Sequence, residues 1–260
     1  VRIVRVARPS GPAFGVVTRP EGKPDHVALL DGHPFGELRL TDQVAPLADV
    51  PLLAPIIPSK ILAIGKNYAG HAAEMGGEVP AEPLVFAKLP TTVIGPGEAI
   101  RLPPESAEVH HEAELAVVVG RLLRRATPAE SAASILGYTV ANDVTARDLQ
   151  RRDGQFTRAK GFDSFCPLGP WIETELDPAQ GLAVRCTVDE EVRQDGSTAD
   201  LVFDVPSLLA HVSAFTTLLP GDVVLTGTPS GVGPIADGQI CEVSVEGIGA
   251  LRNPVAAEGG

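Results

Sequence analysis

Two glutamates one residue apart, Glu112 and Glu114, stand at the mouth of the apolar run "EAELAVVVG". Side chains alternate along a strand, so a strand here sends Ala113, Leu115, Val117 and Val119 to one face. Glu112, Glu114, Ala116 and Val118 go to the other. Both carboxylates then point the same way, which costs energy unless a cation lies between them. In a helix, residues i and i+2 diverge by about 200° and would not converge. A divalent cation resolves the conflict, because Mg²⁺ or Mn²⁺ takes hard oxygen ligands in an octahedron completed by water or substrate. Asp143, at the end of the apolar strand "ILGYTVAND", offers a third carboxylate from a neighbouring strand. Three carboxylates against a dication leave surplus negative charge, so a Lys or Arg is expected nearby, and Arg147 and Lys160 are the candidates. The same spacing fits a solvated strand edge with Asp143 as a strand-end cap, and spacing alone leaves both readings open.

In "GKNYAGHAAEM", His71 and Glu74 are three apart. On a helix they share a face, and the carboxylate can orient the imidazole. That is what a general base needs to take a proton from water near neutral pH. Gly70 and the Gly76-Gly77 pair permit a mobile lid. A surface helix turn with an incidental pair is the other reading of the same spacing. His110 and His111 adjoin the glutamates, but an all-oxygen site has no need of them and they read as structural. "VVLTGTPSGVG" runs from a strand into a Gly-rich turn, where backbone N–H groups and the hydroxyls of Thr226, Thr228 or Ser230 can hold a carboxylate or phosphate. As a phosphate loop it is weak, since no GKS/T follows and no GxGxxG opens a helix.

The elements that must position these residues are mostly strands. "LAVVVG", "GYTVAND", "LAVRCTVD", "DVVLTGTP" and "CEVSVEGIG" are short, β-branched and bounded by turns. Helices are few. "TPAESAASILG" has Thr127 as N-cap, Pro128 in the first turn, Glu130 closing a capping box and Gly137 as a stop. "DVPSLLAHVSAFTTLLPGD" carries Leu208, Leu209, Val212 and Phe215 at helical spacing and ends at Pro220-Gly221. The chain is therefore α+β and β-rich. The three-proline stretch "VPLLAPIIPSK" reads as a linker between a small β unit, residues 1–55, and a larger unit, residues 56–260.

The net charge of −12 and pI near 4.9 leave no basic surface for nucleic acid, since "GRLLRR" and "RRDGQFTRAK" sit among acidic residues. No run reaches the roughly 18 apolar residues that span a bilayer, and "VRIVRVARPSG" reads as a strand rather than a signal peptide. Three scattered cysteines without a CxxC point to a reducing cytoplasm and away from a disulfide framework or zinc site.

Six segments occur in order: "KILAIGKNYAGHAAEMG", "EPLVFAKLPTTVIGPGEAI", "VHHEAELAVVVG", "GYTVANDVTARDLQ", "RAKGFDSFCPLGPWI" and "LLPGDVVLTGTPSGVGP". Together they resemble the fumarylacetoacetate hydrolase family, over roughly Lys60 to Pro254. Members labelled 2-hydroxyhepta-2,4-diene-1,7-dioate isomerases, and the acylpyruvase and oxaloacetate decarboxylase branch, are the nearest in look. The resemblance implies mixed sheets rolled into a distorted β-barrel behind a small N-terminal domain, usually as a homodimer. It implies that Glu112, Glu114 and Asp143 hold Mg²⁺ or Mn²⁺, and that His71 and Glu74 form a catalytic dyad on a lid. Lys160 and Gln150 match polar residues beside the reacting carbons, Arg147 matches an arginine of the same motif and is expected to bind substrate, and Thr228 matches the threonine at the substrate carboxylate. One departure is Gly70, where the pattern has an acid, which bears on the lid more than on the chemistry. The implied substrate is a 2-oxo acid or dicarboxylate, handled through an enolate that the cation stabilises. C–C hydrolysis of an acylpyruvate leads, with dienedioate isomerisation or oxaloacetate decarboxylation as alternatives on one constellation. A non-catalytic dicarboxylate binder is the rival, and it would have no use for a positioned base.

Overall fold

The computed structural model describes residues 1–19, 22 and 24–259. The chain opens on an antiparallel meander, β1 (Arg2–Val6), β2 (Ala13–Thr18), β3 (His26–Leu30) and β4 (Leu40–Pro46), and β5 (Leu52–Leu53) returns to pair with β1. Then come β6 (Ile61–Gly65), α1 (Ala69–Glu74), β7 (Leu84–Lys88), β8 (Val93–Ile94) and β9 (Ile100–Leu102). β10 (Val109–His111) and β11 (Ala113–Val119) flank Glu112. They are followed by α2 (Pro128–Ala132), β12 (Ile135–Asn142), β13 (Thr145–Ala146) and α3 (Arg147–Asp153). The last third holds β14 (Cys166–Glu173), the hairpin β15 (Ala183–Val188) and β16 (Glu191–Ser197), and α4 (Val205–Phe215). β17 (Val223–Leu225), β18 (Gly233–Pro234), β19 (Ile240–Val245) and β20 (Gly249–Ala257) close the chain.

Among the described residues the strands form three sheets, the two larger ones mixed and the smallest antiparallel. The largest has twelve strands and runs β4-β3-β2-β1-β14-β12-β11-β17-β6-β7, with β5 beside β1 and β8 beside β14. A five-stranded sheet runs β16-β15-β19-β20-β9 and a three-stranded one β13-β10-β18. The architecture is the mixed β arrangement the resemblance implies, and its sheets are open: the strand order does not close into a ring. The N-terminal meander continues the main sheet through β1 and β14, with Ile3 opposite Ile172.

β11 shows why the large sheet is the frame. All seven of its residues are buried, and its two faces feed two cores. Leu115, Val117 and Val119 pack with the five-stranded sheet (Val184, Cys186, Val243) and with Leu208, Leu209 and Val212 of α4. Ala116 and Val118 pack on the other side with Ile3, Ile61 and Leu225. Each Val or Leu so buried contributes roughly 1.5–3 kcal/mol, so the strand that carries Glu114 is among the most firmly held. The Pro-rich stretch is not a loose tether. Ala54 and Ile56 are buried in the second core, because the prolines keep the chain extended while its apolar side chains turn inward.

The capping box forms as expected: Thr127 Oγ1 accepts from the Glu130 N–H, and Glu130 Oε2 accepts from the Thr127 N–H at 2.8 Å. The helix stops at Ala132, before Gly137. Gly137 lies in β12, where a Cβ would sit 2.5 Å from the Glu173 carbonyl of β14, so the glycine serves a close strand approach. α4 likewise ends at Phe215, ahead of Pro220, and Phe215 is exposed rather than on the apolar stripe.

Candidate active site

Glu112 occupies the break between β10 and β11. Its N–H donates to Asn142 Oδ1 (2.9 Å) and its carbonyl accepts from the Asp143 N–H (2.8 Å). The β11–β12 register, with Ala113 opposite Asn142, therefore sets Glu112 beside Asp143, while Glu114 follows two residues on. One carboxylate oxygen from each of the three lies within 4.8 Å of the others, and all three are buried. The solvated-edge reading falls on that burial.

Three cations surround the acids. Lys160 Nζ donates to Glu112 Oε2 (2.8 Å), Asp143 Oδ2 (2.7 Å) and Thr145 Oγ1 (2.7 Å). Arg147 Nη2 pairs with Glu112 Oε1, and its Nη1 donates to Gln150 Oε1 (2.9 Å). The third, Lys88, has no assigned role in the sequence reading. It ends β7 fully buried, with Nζ 2.7 Å from Asp143 Oδ1 and bonded to the Lys160 carbonyl at 2.6 Å. A lone lysine closing the apolar run "LVFAK" is the signal that could have marked it. Asn142 and Gln194, whose side chains hold the backbone around Glu112, carry no such signal.

The electrostatics divide the acids. Burial opposes charge on Glu112, but Lys160 and Arg147 outweigh it and hold its carboxyl well below the usual range. Burial opposes charge on Lys160 too, and Asp143 with Glu112 raises its affinity for the proton. Glu114 has no ion-pair partner among the described residues and accepts one bond, from the Gly227 N–H at 2.7 Å. Burial first, then Asp143 and Glu112, push it well above the ordinary value. An under-compensated buried acid facing two others, in an all-oxygen donor set, is what a hard dication would relieve, so the residues fit a divalent metal.

The dyad assembles on α1. His71 Nδ1 lies 3.2 Å from Glu74 Oε2, so Nδ1–H donates and Nε2 is left free. Glu74 Oε1 accepts from the Gly231 N–H (3.0 Å), which ties α1 to the Gly-rich loop after β17. A single cavity of about 260 Å³ is lined by His71, Glu112, Glu114, Asp143, Arg147, Gln150, Lys160 and Thr228, with Glu74 behind His71. In the Gly-rich turn, Gly227 N–H serves Glu114 and the Thr226 hydroxyl donates to the Leu115 carbonyl (2.9 Å), which leaves Thr228 as the hydroxyl facing the cavity. Among the described residues the metal-competent cluster contains no histidine. His111 is buried, with its pKa pushed down to about 4 mainly by burial, and its Nδ1 is 2.9 Å from Gln194 Oε1.

Comparisons with known proteins identify the family. The family model described as fumarylacetoacetate (FAA) hydrolase C-terminal matches residues 60–256, and one described as Rv2993c-like, N-terminal, matches residues 1–55. A crystal structure of a 5-carboxymethyl-2-hydroxymuconate delta-isomerase from Mycobacterium smegmatis is 50% identical, with a TM-score of 0.92, covering 99% of this chain and 100% of that one. A 2-hydroxyhepta-2,4-diene-1,7-dioate isomerase structure from Mycobacterium marinum is 46% identical, with a TM-score of 0.91, covering 100% and 99%. The human mitochondrial oxaloacetate tautomerase FAHD2A is 42% identical over 82% of this chain and 71% of its own length. On this footing the chain belongs to the fumarylacetoacetate hydrolase family.

Proposed function

We propose that the protein moves a proton on a small 2-oxo or 2-hydroxyenoate dicarboxylate, interconverting keto and enol or isomeric forms. The observation that carries the reading is one cavity holding both a carboxylate-oriented imidazole and three buried acids fit for a divalent cation. Members of the family are generally divalent-metal dependent, and Mg²⁺ or Mn²⁺ suits an all-carboxylate site. Held by Glu112, Glu114 and Asp143, such a cation supplies Lewis-acid stabilisation of negative charge developing on the 2-oxo oxygen.

The remaining work falls to this chain's side chains. His71 Nε2 takes the proton from the carbon next to the 2-oxo group and delivers it to the enolate oxygen, or to a further carbon of the conjugated chain in an isomerisation, while Glu74 fixes the ring and stabilises it once protonated. Arg147 holds Glu112 and Gln150 in place, and Lys160 and Gln150 face the reacting carbons. Thr228 donates to the substrate carboxylate. Lys66 lines the same cavity at a backbone φ of 58° and makes no ion pair among the described residues. A free cation there suits the second carboxylate of a dicarboxylic substrate, and the isomerase and tautomerase names of the relatives point the same way. C–C hydrolysis of an acylpyruvate is the second reading: the family's name favours it, and the same His71 would then activate water. The reading extends to a homodimer in a reducing cytoplasm, in keeping with three buried free thiols, and to residues 1–55 as a small N-terminal unit joined through the main sheet to a catalytic 56–260.

The test mixes enol-oxaloacetate with the protein and Mg²⁺, following enol absorbance and pyruvate together. Faster loss of enol without pyruvate supports the proposal. Pyruvate release would shift the reading to carbon–carbon cleavage. No rate change with oxaloacetate, acetylpyruvate or a hydroxyheptadienedioate would sink it.

A further inference from the structure

Gln194 lies in β16, outside every motif that carries the family resemblance, and is buried with all four hydrogen-bonding positions of its amide filled. Oε1 lies 2.9 Å from the Ala113 N–H and 2.9 Å from His111 Nδ1. Nε2 lies 2.8 Å from the Pro229 carbonyl and 2.7 Å from Thr228 Oγ1. Two of these partners admit one role each. The Ala113 N–H can only donate and the Pro229 carbonyl can only accept, so the orientation of the amide is fixed. It follows that His111 Nδ1 carries the proton, and that Thr228 Oγ1 accepts from Gln194. A hydroxyl has one proton, and no other bond among the described residues uses that of Thr228. The proton is left for the cavity that Thr228 lines.

The loop that bears Thr228 is pressed onto β16 around this amide. A Cβ on Gly196 would stand 2.4 Å from the Pro229 ring, and one on Gly231, at φ 97°, would stand 2.1 Å from the Arg193 carbonyl. The two glycines allow the backbones to meet, and Gln194 sets the polarity of the contact.

We infer that Gln194 is a positioning residue for substrate binding: by donating to Thr228 it commits the threonine hydroxyl to donate to an anionic oxygen of the ligand. This rests on the reading of Thr228 as the substrate-carboxylate contact. Gln194→Glu keeps both accepting bonds, loses the one to the Pro229 carbonyl, and reverses the one to Thr228, whose proton is then drawn away from the cavity. Gln194→Met removes all four bonds, the one to Thr228 among them, without adding charge.

The probe is oxalate, the smallest planar mimic of a 2-oxo carboxylate, titrated calorimetrically into protein loaded with Mn²⁺. Thr228→Val and both Gln194 variants weaken oxalate by about tenfold, the loss of one hydrogen bond to a charged group, while Thr228→Ser binds as wild type. Affinity for Mn²⁺ alone stays within threefold in the Thr228 variants and in Gln194→Glu, which keeps the bond from the Ala113 N–H between the two glutamates. In the Thr228→Val background, Gln194→Met has no further effect, whereas a general disturbance of the fold would add. If Thr228→Val weakens oxalate and the folded Gln194 variants do not, or if the two losses add, the inference is overturned and the reading of Thr228 stands. If Thr228→Val binds oxalate normally, that reading falls and the inference with it.

Discussion

Two buried acidic centres lie on either side of β17 and behave as opposites. Asp222, fully buried just before the strand, is supplied with donors on both oxygens. Ser59 Oγ (2.6 Å) and the Lys60 N–H (3.2 Å) reach Oδ1, while the Leu219 N–H (2.7 Å) and the Lys60 ammonium reach Oδ2. Just beyond the strand, Glu114 has one backbone donor and two acids for neighbours. Burial is the same and partner count is not. A buried carboxylate whose lone pairs are met by its own chain is a strut, here clamping the parallel pair of β6 and β17. One left short of positive charge is stored electrostatic conflict, which a cation from outside can relieve.

The largest effect should come from denying the site its cation or its base. Chelation with EDTA is expected to abolish turnover, and Mg²⁺ or Mn²⁺ to restore it. His71→Ala should lower turnover by about 10²–10⁴-fold with Mn²⁺ affinity nearly unchanged. Glu114→Gln should lose metal affinity and, in chelated protein, melt higher than wild type, because it removes a charge that the fold does not compensate. A lower melting point would place Glu114 with the struts and erase the contrast.

The reciprocal experiment is Asp222→Ala. It strands three donors and the Lys60 ammonium, and should cost about 3 kcal/mol in denaturant unfolding, the low end for a broken buried pair because Lys60 is partly exposed. Any turnover change should vanish once folded protein is counted.

His111 sharpens the comparison from the basic side, since its charge is excluded by burial rather than balanced. Its folded pKa of about 4 lies below the ordinary 6.5. Above pH 6.5 neither state binds the proton and stability is unaffected. As pH falls below that, the unfolded chain protonates first, so stability is lost between about 6.5 and 4. The loss is about 3 kcal/mol in all and about 2 by pH 5. Urea titrations of chelated protein at pH 7.5 and 5 check this, with His111→Asn expected to show a smaller fall.

The same contrast explains what could be read beforehand. The strand period of "EAELAVVVG" gave both faces of β11, since alternation is local. His71 and Glu74 were legible because one helical turn joins them. Lys88 and Gln194 were not, because each acts across the fold, 55 residues from Asp143 and 34 from Thr228 along the chain. Gly137 reads locally as a helix stop for the same reason: what demands a glycine there is the Glu173 carbonyl of another strand. The Pro-rich stretch was legible as extended, but its packing depends on a core built from distant strands.

The smallest effect isolates one bond of the strut. Ser59→Ala removes a single donor from Asp222 and leaves the two backbone N–H groups and Lys60 in place. The loss should be about 1.5 kcal/mol, the low end for one hydrogen bond to a charged acceptor. In the Asp222→Ala background the same change should cost almost nothing, since its partner is gone. A full loss in that background would mean that Ser59 acts through packing, and that Asp222 owes its stability to fewer donors than the geometry assigns it. Mn²⁺ affinity should not move in either background, because the strut and the site, although joined by a single strand, meet their charges separately.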